Sequence, residues 1–210
     1  MEPQWIAWAR QMQALAQSGL AFSPNVYDRD RYRQLQRLAA EILASYTNVT
    51  AEFVNELFDQ QTGYATPKVD VRGVVFKGDA MLLVRETMDE GRWTLPGGWA
   101  DINDTPSEAV EREIHEETGY RARATKVLAV YDRTRQGHPA YPFHVYKLFF
   151  MCELLSERPD TAETDYETAD PTFFFEPDIP QDLSLGRVTP TQIARFFEHH
   201  RQPSLPTDFD

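Results

Sequence analysis

The sequence has little cysteine, little positive charge and no long apolar run, and each of these deficits excludes a class of protein. Its single cysteine, Cys152, cannot form a disulfide within the chain, which is typical of proteins of the reducing cytoplasm. The N-terminal segment carries glutamate and glutamine where a secretory signal has basic and then apolar residues. No segment reaches the apolar length that a bilayer-spanning helix needs. We therefore expect a cytoplasmic protein without a membrane partner.

The shortage of positive charge also restricts the ligands of the chain. The 210 residues include 21 Lys and Arg against 33 Asp and Glu, for a formal net charge of −12. Such a chain offers no basic stripe for the phosphates of a long nucleic acid, so a nucleic-acid partner is not expected. An acidic protein can still bind an anionic small molecule if bound metal ions reverse the local field.

Residues 1–65 are predicted to form a helical N-terminal domain. Their apolar residues recur at helical spacing in three segments, whose limits we expect at Gly19, Asp28 and Thr50. The apolar stripes of the first two helices consist of Trp5, Trp8, Met12 and Leu15, and of Leu35, Leu38, Ile42 and Tyr46. About 60 residues of helix seldom enclose a self-sufficient core. We expect these stripes to be buried against the second domain or a second copy of the chain; a small independently packed bundle is the alternative.

Residues 66–210 are predicted to form an α/β domain. After Thr66-Pro67 the apolar period changes from 3.6 to 2, and strands are expected over 69–75, 81–84, 127–134, 143–155 and 173–175. A last helix is expected after Thr189, because Thr189 and Gln192 match the capping-box pattern. Strands with helices inserted between them indicate an α/β/α sandwich around a mixed sheet.

The stretch from Gly98 to Tyr120 carries the chemistry. Thr105-Pro106-Ser107-Glu108 is a strong helix start, and Gly119 is a suitable helix end. Between them, three glutamates at spacing i, i+3 and i+4 share one helix face, and Arg112 lies beside it: Glu113, Glu116 and Glu117. Clustered carboxylates repel one another unless cations lie among them, and oxygen ligands suit Mg²⁺ or Mn²⁺.

The same stretch resembles the signature of the Nudix hydrolases. Six positions are identical to it, and Ile114 fills its apolar position. Those six are Gly98, Arg112, Glu113, Glu116, Glu117 and Gly119. Asp104 departs from the signature, which has glutamate there. A solvated glutamate-rich helix face does not require the glycine and the arginine at these offsets.

The resemblance implies hydrolysis of a pyrophosphate bond assisted by Mg²⁺ or Mn²⁺. The carboxylates of Glu116 and Glu117 and the main-chain carbonyl of Gly98 would bind the metal. Arg112 would orient a carboxylate, and Glu113 would bind metal, bridge through water or act as general base. The family often takes its base from a distant loop, where Glu163 is preferred over Glu167.

The resemblance extends to a Nudix subgroup with an N-terminal helical extension, which includes CDP-choline pyrophosphatases and proteins named ADP-ribose pyrophosphatases. It rests on residues 15–20, 26–32, 93–101 and 205–210. The subgroup implies a homodimer, in which residues 1–65 contribute to the interface. It also implies a substrate that joins a nucleoside diphosphate to a second group, of the CDP-choline, ADP-ribose or UDP-sugar type. The products would be a nucleoside monophosphate and a phosphorylated remainder.

Substrate contacts are predicted at strand ends and in the loops that follow. An aromatic ring there would stack on a base, and a charged or polar group would bind a phosphate or the base edge. The candidates are Arg85, Asp132, Arg133, His138, Phe143, His144 and Arg187. Two alternatives stay open: a Nudix hydrolase of nucleoside triphosphates or RNA 5′ ends, and a nucleotide-binding sensor without turnover.

Overall fold

The computed structural model describes residues 3–157, 159 and 168–210, and within them five α-helices and seven β-strands. The helices are α1 (Gln4–Phe22), α2 (Val26–Ser45), α3 (Ala51–Asp59), α4 (Pro106–Thr118) and α5 (Pro190–Arg201). The strands are β1 (Lys68–Lys77), β2 (Ala80–Glu86), β3 (Arg92–Thr94), β4 (Ala122–Asp132), β5 (Val145–Leu154), β6 (Thr168–Phe175) and β7 (Asp208–Phe209). No helix in these ranges is long and apolar enough to cross a membrane.

The chain divides into two compact units. The first comprises Met1–Lys68 together with Ala140–His144, and the second comprises Val69–Pro139 and Val145–Asp210. The loop between β4 and β5 therefore contributes to both units.

Helices α1, α2 and α3 form the first unit around a small core. Its buried members are Ile6, Ala9, Ala39, Ala40, Leu43, Val54 and Phe58. Thr50 caps α3 as expected, since its side chain accepts a hydrogen bond from the Phe53 N–H. The other two expected limits are wrong: α1 continues past Gly19 to Phe22, and Asn25 rather than Asp28 caps α2.

The apolar stripes of α1 and α2 are only partly buried in this unit, where Trp5, Met12 and Ile42 pack against the core. The two helices face each other largely through alanines, whose small side chains leave little space between the backbones. Other large residues of the stripes point away from the core, and Trp8, Leu15 and Leu38 are 55%, 58% and 51% exposed. Tyr46 is 66% exposed. The unit thus combines a small core with an exposed apolar face.

The second unit is built on a mixed sheet. Its strand order is β3-β2-β1-β5-β4-β7, and β6 pairs with β2. The β2–β3, β2–β6 and β4–β5 pairs are antiparallel, whereas β4 and β7 are parallel. β4 begins five residues earlier than expected, because Ala122 already pairs with Leu154 at the end of β5. The pairing of β7 was not anticipated, since two residues carry no periodic pattern.

Helices α4 and α5 cover opposite faces of the sheet, which confirms the predicted α/β/α sandwich. Side chains alternate along β1: Val71 and Val75 pack with Ile114 of α4. Val74 belongs instead to the core on the other face, which includes Phe196 of α5. This alternation also places Asp70 and Arg72 on the α5 face, at the end of β1 that borders the predicted site.

Candidate active site

Helix α4 has the start and end that its sequence predicts. The Thr105 side chain accepts a hydrogen bond from the Glu108 N–H, and the Glu108 carboxylate accepts one from the Thr105 N–H, which is a complete capping box. Pro106 occupies the first turn, and Gly119 ends the helix in the left-handed region with φ 69°. The helix therefore presents its glutamates in a fixed orientation.

Arg112 links the carboxylates of this face. Its Nη1 donates to Glu113 Oε1 and to Glu116 Oε2, both at 2.9 Å. Its Nε donates to Asp104 Oδ2 at 3.1 Å. These hydrogen bonds raise the pKa of the guanidinium although burial acts in the opposite direction. Asp104, the residue that departs from the signature, still reaches Arg112 with its shorter side chain.

Glu117 lies deeper and is held by the turn before the helix. Its Oε2 accepts a hydrogen bond from the Gly97 N–H at 2.8 Å, and the side chain is 8% exposed. Gly97 has φ 140°, and a Cβ at this position would lie 2.1 Å from the Val71 carbonyl oxygen, so that only glycine fits. A Cβ on Gly98 would lie 2.7 Å from Glu113 Oε2. The Gly97-Gly98 turn thus lies directly against the carboxylates of Glu113 and Glu117.

Burial makes these carboxylates poor anions by themselves. It raises the pKa of Glu117 to about 8, although the charge of Arg72 and the Gly97 N–H oppose the shift. Burial also raises the pKa of Glu113, against the nearby charge of Arg112. A cation bound beside this turn would stabilise the ionised form of both carboxyl groups.

The residues at this turn fit a hard divalent cation. They supply carboxylate oxygens from Glu113 and Glu117 and the carbonyl of Gly98, which accepts one hydrogen bond from the Val71 N–H at 2.8 Å and keeps a second lone pair. Within residues 3–157, 159 and 168–210, no three or more Asp, Glu, His or Cys side chains are already gathered as a metal-binding group. Instead, the Arg112 guanidinium links Glu113 and Glu116. The ligand roles predicted for Gly98, Glu113, Glu116 and Glu117 stay predictions.

Three of the predicted substrate residues meet at the segment before α5. Arg133 donates from Nη1 to the Pro139 carbonyl at 2.7 Å, and its Nε is 3.4 Å from the Gly186 carbonyl. His138 Nδ1 lies 2.7 Å from the Leu185 carbonyl, which requires a proton on Nδ1. Burial lowers the pKa of His138 to about 4 and thereby favours this neutral tautomer.

Arg187 is the third member of this group. Its Nε is 2.8 Å from Glu86 Oε2, and its Nη1 donates to Ser184 Oγ at 3.2 Å. These contacts connect the segment before α5 with the end of β2. All three residues therefore hold loops together, and their predicted contact with substrate stays a prediction.

The remaining predicted substrate residues have their contacts away from the segment before α5. Arg85 packs its guanidinium 4.6 Å from the Trp93 ring centroid, and Asp132 accepts a hydrogen bond from the Thr134 N–H at 2.9 Å. Phe143 and His144 belong to the helical unit, where the Phe143 ring packs at 6.3 Å from that of Phe58.

Both candidates for a distant general base, Glu163 and Glu167, lie outside the described residues.

Sequence reasoning missed three buried charges beside the site, on β1 and β5. Asp70, Arg72 and Lys147 are 4%, 6% and 1% exposed. The sequence did contain a signal for them: they interrupt strands that are otherwise apolar on the buried face, where a charge is rare unless it is paired.

Comparison with known proteins follows the division of the chain. A family model described as a UDP-X-like N-terminal oligomerisation domain matches residues 3–58, and the NUDIX domain model matches residues 66–190. The Bacillus subtilis (strain 168) protein YjhB, whose name proposes an ADP-ribose pyrophosphatase, is 42% identical over 210 residues, covering 100% of this chain and 99% of its own.

Two solved structures are also similar. A structure described as a UDP-X diphosphatase, with 31% identity and a TM-score of 0.61, covers 99% of this chain and 98% of its own. An ADP-ribose pyrophosphatase from Streptococcus suis 89-1591, with 36% identity and a TM-score of 0.61, covers 69% of this chain and 100% of its own. A domain model over more than half of the chain, and a relative this similar over the full length, show that the protein belongs to the Nudix hydrolase family.

Proposed function

We propose that the protein hydrolyses the pyrophosphate bond of a nucleoside diphosphate linked to a second group, in the class of ADP-ribose and UDP-linked compounds. The products are a nucleoside monophosphate and a phosphorylated remainder. The observation that carries the proposal is the contact of the Glu113 and Glu117 carboxylates with the Gly97-Gly98 turn. The names of YjhB and of the two solved structures support the substrate class.

Nudix hydrolases generally use divalent metal ions, and we propose Mg²⁺ or Mn²⁺ for this protein. Glu113, Glu116, Glu117 and the Gly98 carbonyl would hold the ion, because oxygen donors suit hard cations. When bound, the ion neutralises phosphate oxygens and lowers the pKa of a bound water.

The protein's own residues set the geometry of this site. The Gly97 N–H fixes one oxygen of Glu117 at 2.8 Å. Arg112 aligns Glu113 and Glu116 and limits their mutual repulsion, and Asp104 in turn orients Arg112. Glu163 remains our preferred general base, with Glu113 as the alternative, since either carboxylate would accept a proton from the attacking water.

A substrate panel tests this proposal. CDP-choline, ADP-ribose, UDP-sugars, nucleoside triphosphates and dinucleoside polyphosphates would be assayed with Mg²⁺ and with Mn²⁺. We expect turnover of one or more nucleoside diphosphate derivatives and its loss in Glu117→Gln. The matched control is Glu153→Gln on β5, which removes only a surface ion pair with Arg123 and should retain wild-type turnover.

The alternatives predict other results on the same panel. Turnover of nucleoside triphosphates alone would contradict the proposed substrate class. A compound that raises the melting temperature without being hydrolysed would indicate a sensor instead. Wild-type turnover by Glu117→Gln at saturating Mg²⁺ would refute the role of Glu117.

We also propose that residues 1–65 form a dimerisation domain and residues 66–210 the catalytic domain. Trp8, Leu15 and Phe22 recur every seven residues on α1, which is two helical turns, and all three are more than half exposed. Such an apolar stripe on one helix face suits burial against a second copy. The description of the matching N-terminal family as an oligomerisation domain supports the same conclusion.

The dimer is tested by mass in solution. Leu15→Glu places a charge in the centre of the stripe and should shift the protein from dimer to monomer in sedimentation or light scattering. Gln60→Glu, at an exposed site of the same helical unit, should remain dimeric. A wild-type protein that is monomeric at micromolar concentration would refute the proposal. The cytoplasmic location expected from the single cysteine stays a prediction.

A further inference from the structure

Three charged side chains form a connected group inside the second unit, between β1 and β5. Lys147 Nζ contacts Asp70 Oδ2, and Arg72 Nε donates to Asp70 Oδ1 at 2.9 Å. One buried carboxylate thus lies between two buried basic side chains. We refer to Asp70, Arg72 and Lys147 as the buried triad.

The buried triad is an expensive way to fill this part of the sheet. Removing charges from water costs several kcal/mol per ion, and apolar residues of similar volume often stabilise a core better. The neighbours on the same face show that the site accepts apolar residues: Val74 follows Arg72 on β1, and Phe149 follows Lys147 on β5. Stability alone therefore gives no reason for this group.

The hydrogen bonds of Arg72 also reach the segment before the Gly97-Gly98 turn. We refer to this turn as the metal-binding turn, because the proposed metal ligands lie against it. Its Nη1 donates to the Leu95 carbonyl at 3.1 Å, and Leu95 directly precedes the turn. The backbone of β1 holds the same segment at two further points, since the Gly73 N–H donates to the Pro96 carbonyl and the Val71 N–H to that of Gly98, both at 2.8 Å. Arg72 is the side-chain member of this set of three attachments.

The charge of Arg72 acts in the same place. Its guanidinium lowers the pKa of both Glu113 and Glu117, against the effect of burial. Arg112 reaches Glu113 and Glu116, whereas Glu117 receives its hydrogen bond from Gly97 and its favourable charge from Arg72. Arg72 therefore supports the Glu117 carboxylate by its charge.

We propose that the buried triad positions the metal-binding turn: Lys147 fixes Asp70, Asp70 orients Arg72, and Arg72 holds the Leu95 carbonyl while its charge faces Glu117. The three are positioning residues, because they reach the metal-binding carboxylates through the turn and through charge. The inference rests on the proposed function for the identity of the site. It adds residues outside the signature to the machinery of the reaction.

Binding of Mn²⁺ in the absence of substrate tests this proposal, measured by isothermal titration calorimetry on the full chain. Arg72→Lys keeps the charge but replaces two separate donor nitrogens, Nε on Asp70 and Nη1 on Leu95, with a single ammonium, and Lys147→Met leaves Asp70 to Arg72 alone. We expect both variants to bind Mn²⁺ about 10- to 100-fold more weakly, the usual effect of losing a partner behind a metal ligand. At saturating Mn²⁺, kcat should fall while KM changes little, since no triad member contacts substrate.

The control variant is Val74→Ala, on the same strand and the same buried face as Arg72. It creates a cavity in the core and lowers the melting temperature, yet removes none of the hydrogen bonds that hold the turn. It should bind Mn²⁺ like the wild type. If Val74→Ala weakens Mn²⁺ binding as much as Arg72→Lys does, a general loss of stability explains both, and the proposal is overturned.

Two further outcomes decide the remaining cases. Wild-type Mn²⁺ affinity in both Arg72→Lys and Lys147→Met would overturn the proposal. If Lys147→Met does not fold, Lys147→Arg replaces it in the test, because arginine keeps a basic group beside Asp70. The Mn²⁺ affinity of Lys147→Arg should stay within about 10-fold of wild type. A larger loss would overturn the proposed link from Lys147 through Asp70 to Arg72. A wild-type protein that binds Mn²⁺ but hydrolyses nothing on the panel would refute the proposed function while leaving the test of the triad intact.

Discussion

Replacing Glu117 by glutamine should stabilise the metal-free protein and at the same time abolish metal-dependent hydrolysis. Glu117 is 8% exposed, and burial raises its pKa from 4.5 to about 8 when no metal is present. Glutamine has the same shape, keeps an oxygen for the Gly97 N–H and carries no charge. The substitution therefore removes the desolvated charge alone.

The direction in which the free energy of unfolding changes with pH follows from the proton that Glu117 retains in the folded state. Between pH 4.5 and about pH 8 the unfolded chain has already lost this proton, whereas the folded chain still binds it. The free energy of unfolding consequently falls as the pH rises through this window, by about 1.4 kcal/mol per pH unit. The total loss approaches about 5 kcal/mol above pH 8, and Glu117→Gln should not show it. For a chain of this length the difference corresponds to a melting temperature about 10 °C higher in the variant at pH 8.5.

Urea unfolding in the presence of a chelator, at pH 5 and at pH 8.5, measures both proteins. The wild type should lose several kcal/mol between the two pH values, and Glu117→Gln markedly less. Glu153→Gln, which changes an exposed carboxylate, should follow the wild type. Addition of Mg²⁺ should narrow the difference at pH 8.5, because a ligand stabilises only the protein that binds it. Parallel pH profiles for wild type and Glu117→Gln would show that burial does not raise the pKa of Glu117 in the folded protein.

Three further substitutions test the framework around the site. Gly97→Ala should destabilise the protein by about 3 kcal/mol or more in urea unfolding, since its Cβ would lie 2.1 Å from the Val71 carbonyl oxygen; a stable, active variant would show that the turn is not tight. Thr105→Ala removes the cap of α4 and should cost about 1 kcal/mol, with turnover retained per folded molecule; unchanged stability would contradict the capping role. Asp208→Ala removes the partner that Arg195 bonds at 2.7 and 2.8 Å, and should speed proteolysis of the C-terminal strand; an unchanged rate would mean that other contacts hold this strand.

Short-range patterns predicted the elements around the site correctly. The caps of α4 and α5 depend on residues three apart, so the chain itself specifies them. The alternation of β1 and the apolar run of β2 likewise predicted which segments are strands. Predicted helix ends without a strong cap were less accurate. Helix α1 continues past Gly19, because a single glycine lowers helix stability by only about 1 kcal/mol.

The first unit shows what periodicity alone could not decide. Large apolar residues marked a stripe on each of α1 and α2, but the helices face each other through alanines, and Trp8, Leu15 and Leu38 stay exposed. A pattern shows that a face is apolar without showing which partner covers it. The position of Phe143 in this unit was equally hidden, since it depends on a loop from a distant part of the chain.

The class of reaction was predictable from local sequence. Gly98, Arg112 and the three glutamates lie within 20 residues and resemble the Nudix signature, and the spacing of the glutamates on one capped helix predicts a carboxylate face that suits a metal ion. How that face is supported depends on contacts that form only in the folded chain. Lys147 and Asp70 are 77 residues apart in sequence, and strand order and register bring them together behind the turn. The spacing of residues along one helix can be read directly from the sequence, whereas contacts between distant strands exist only once the sheet has formed.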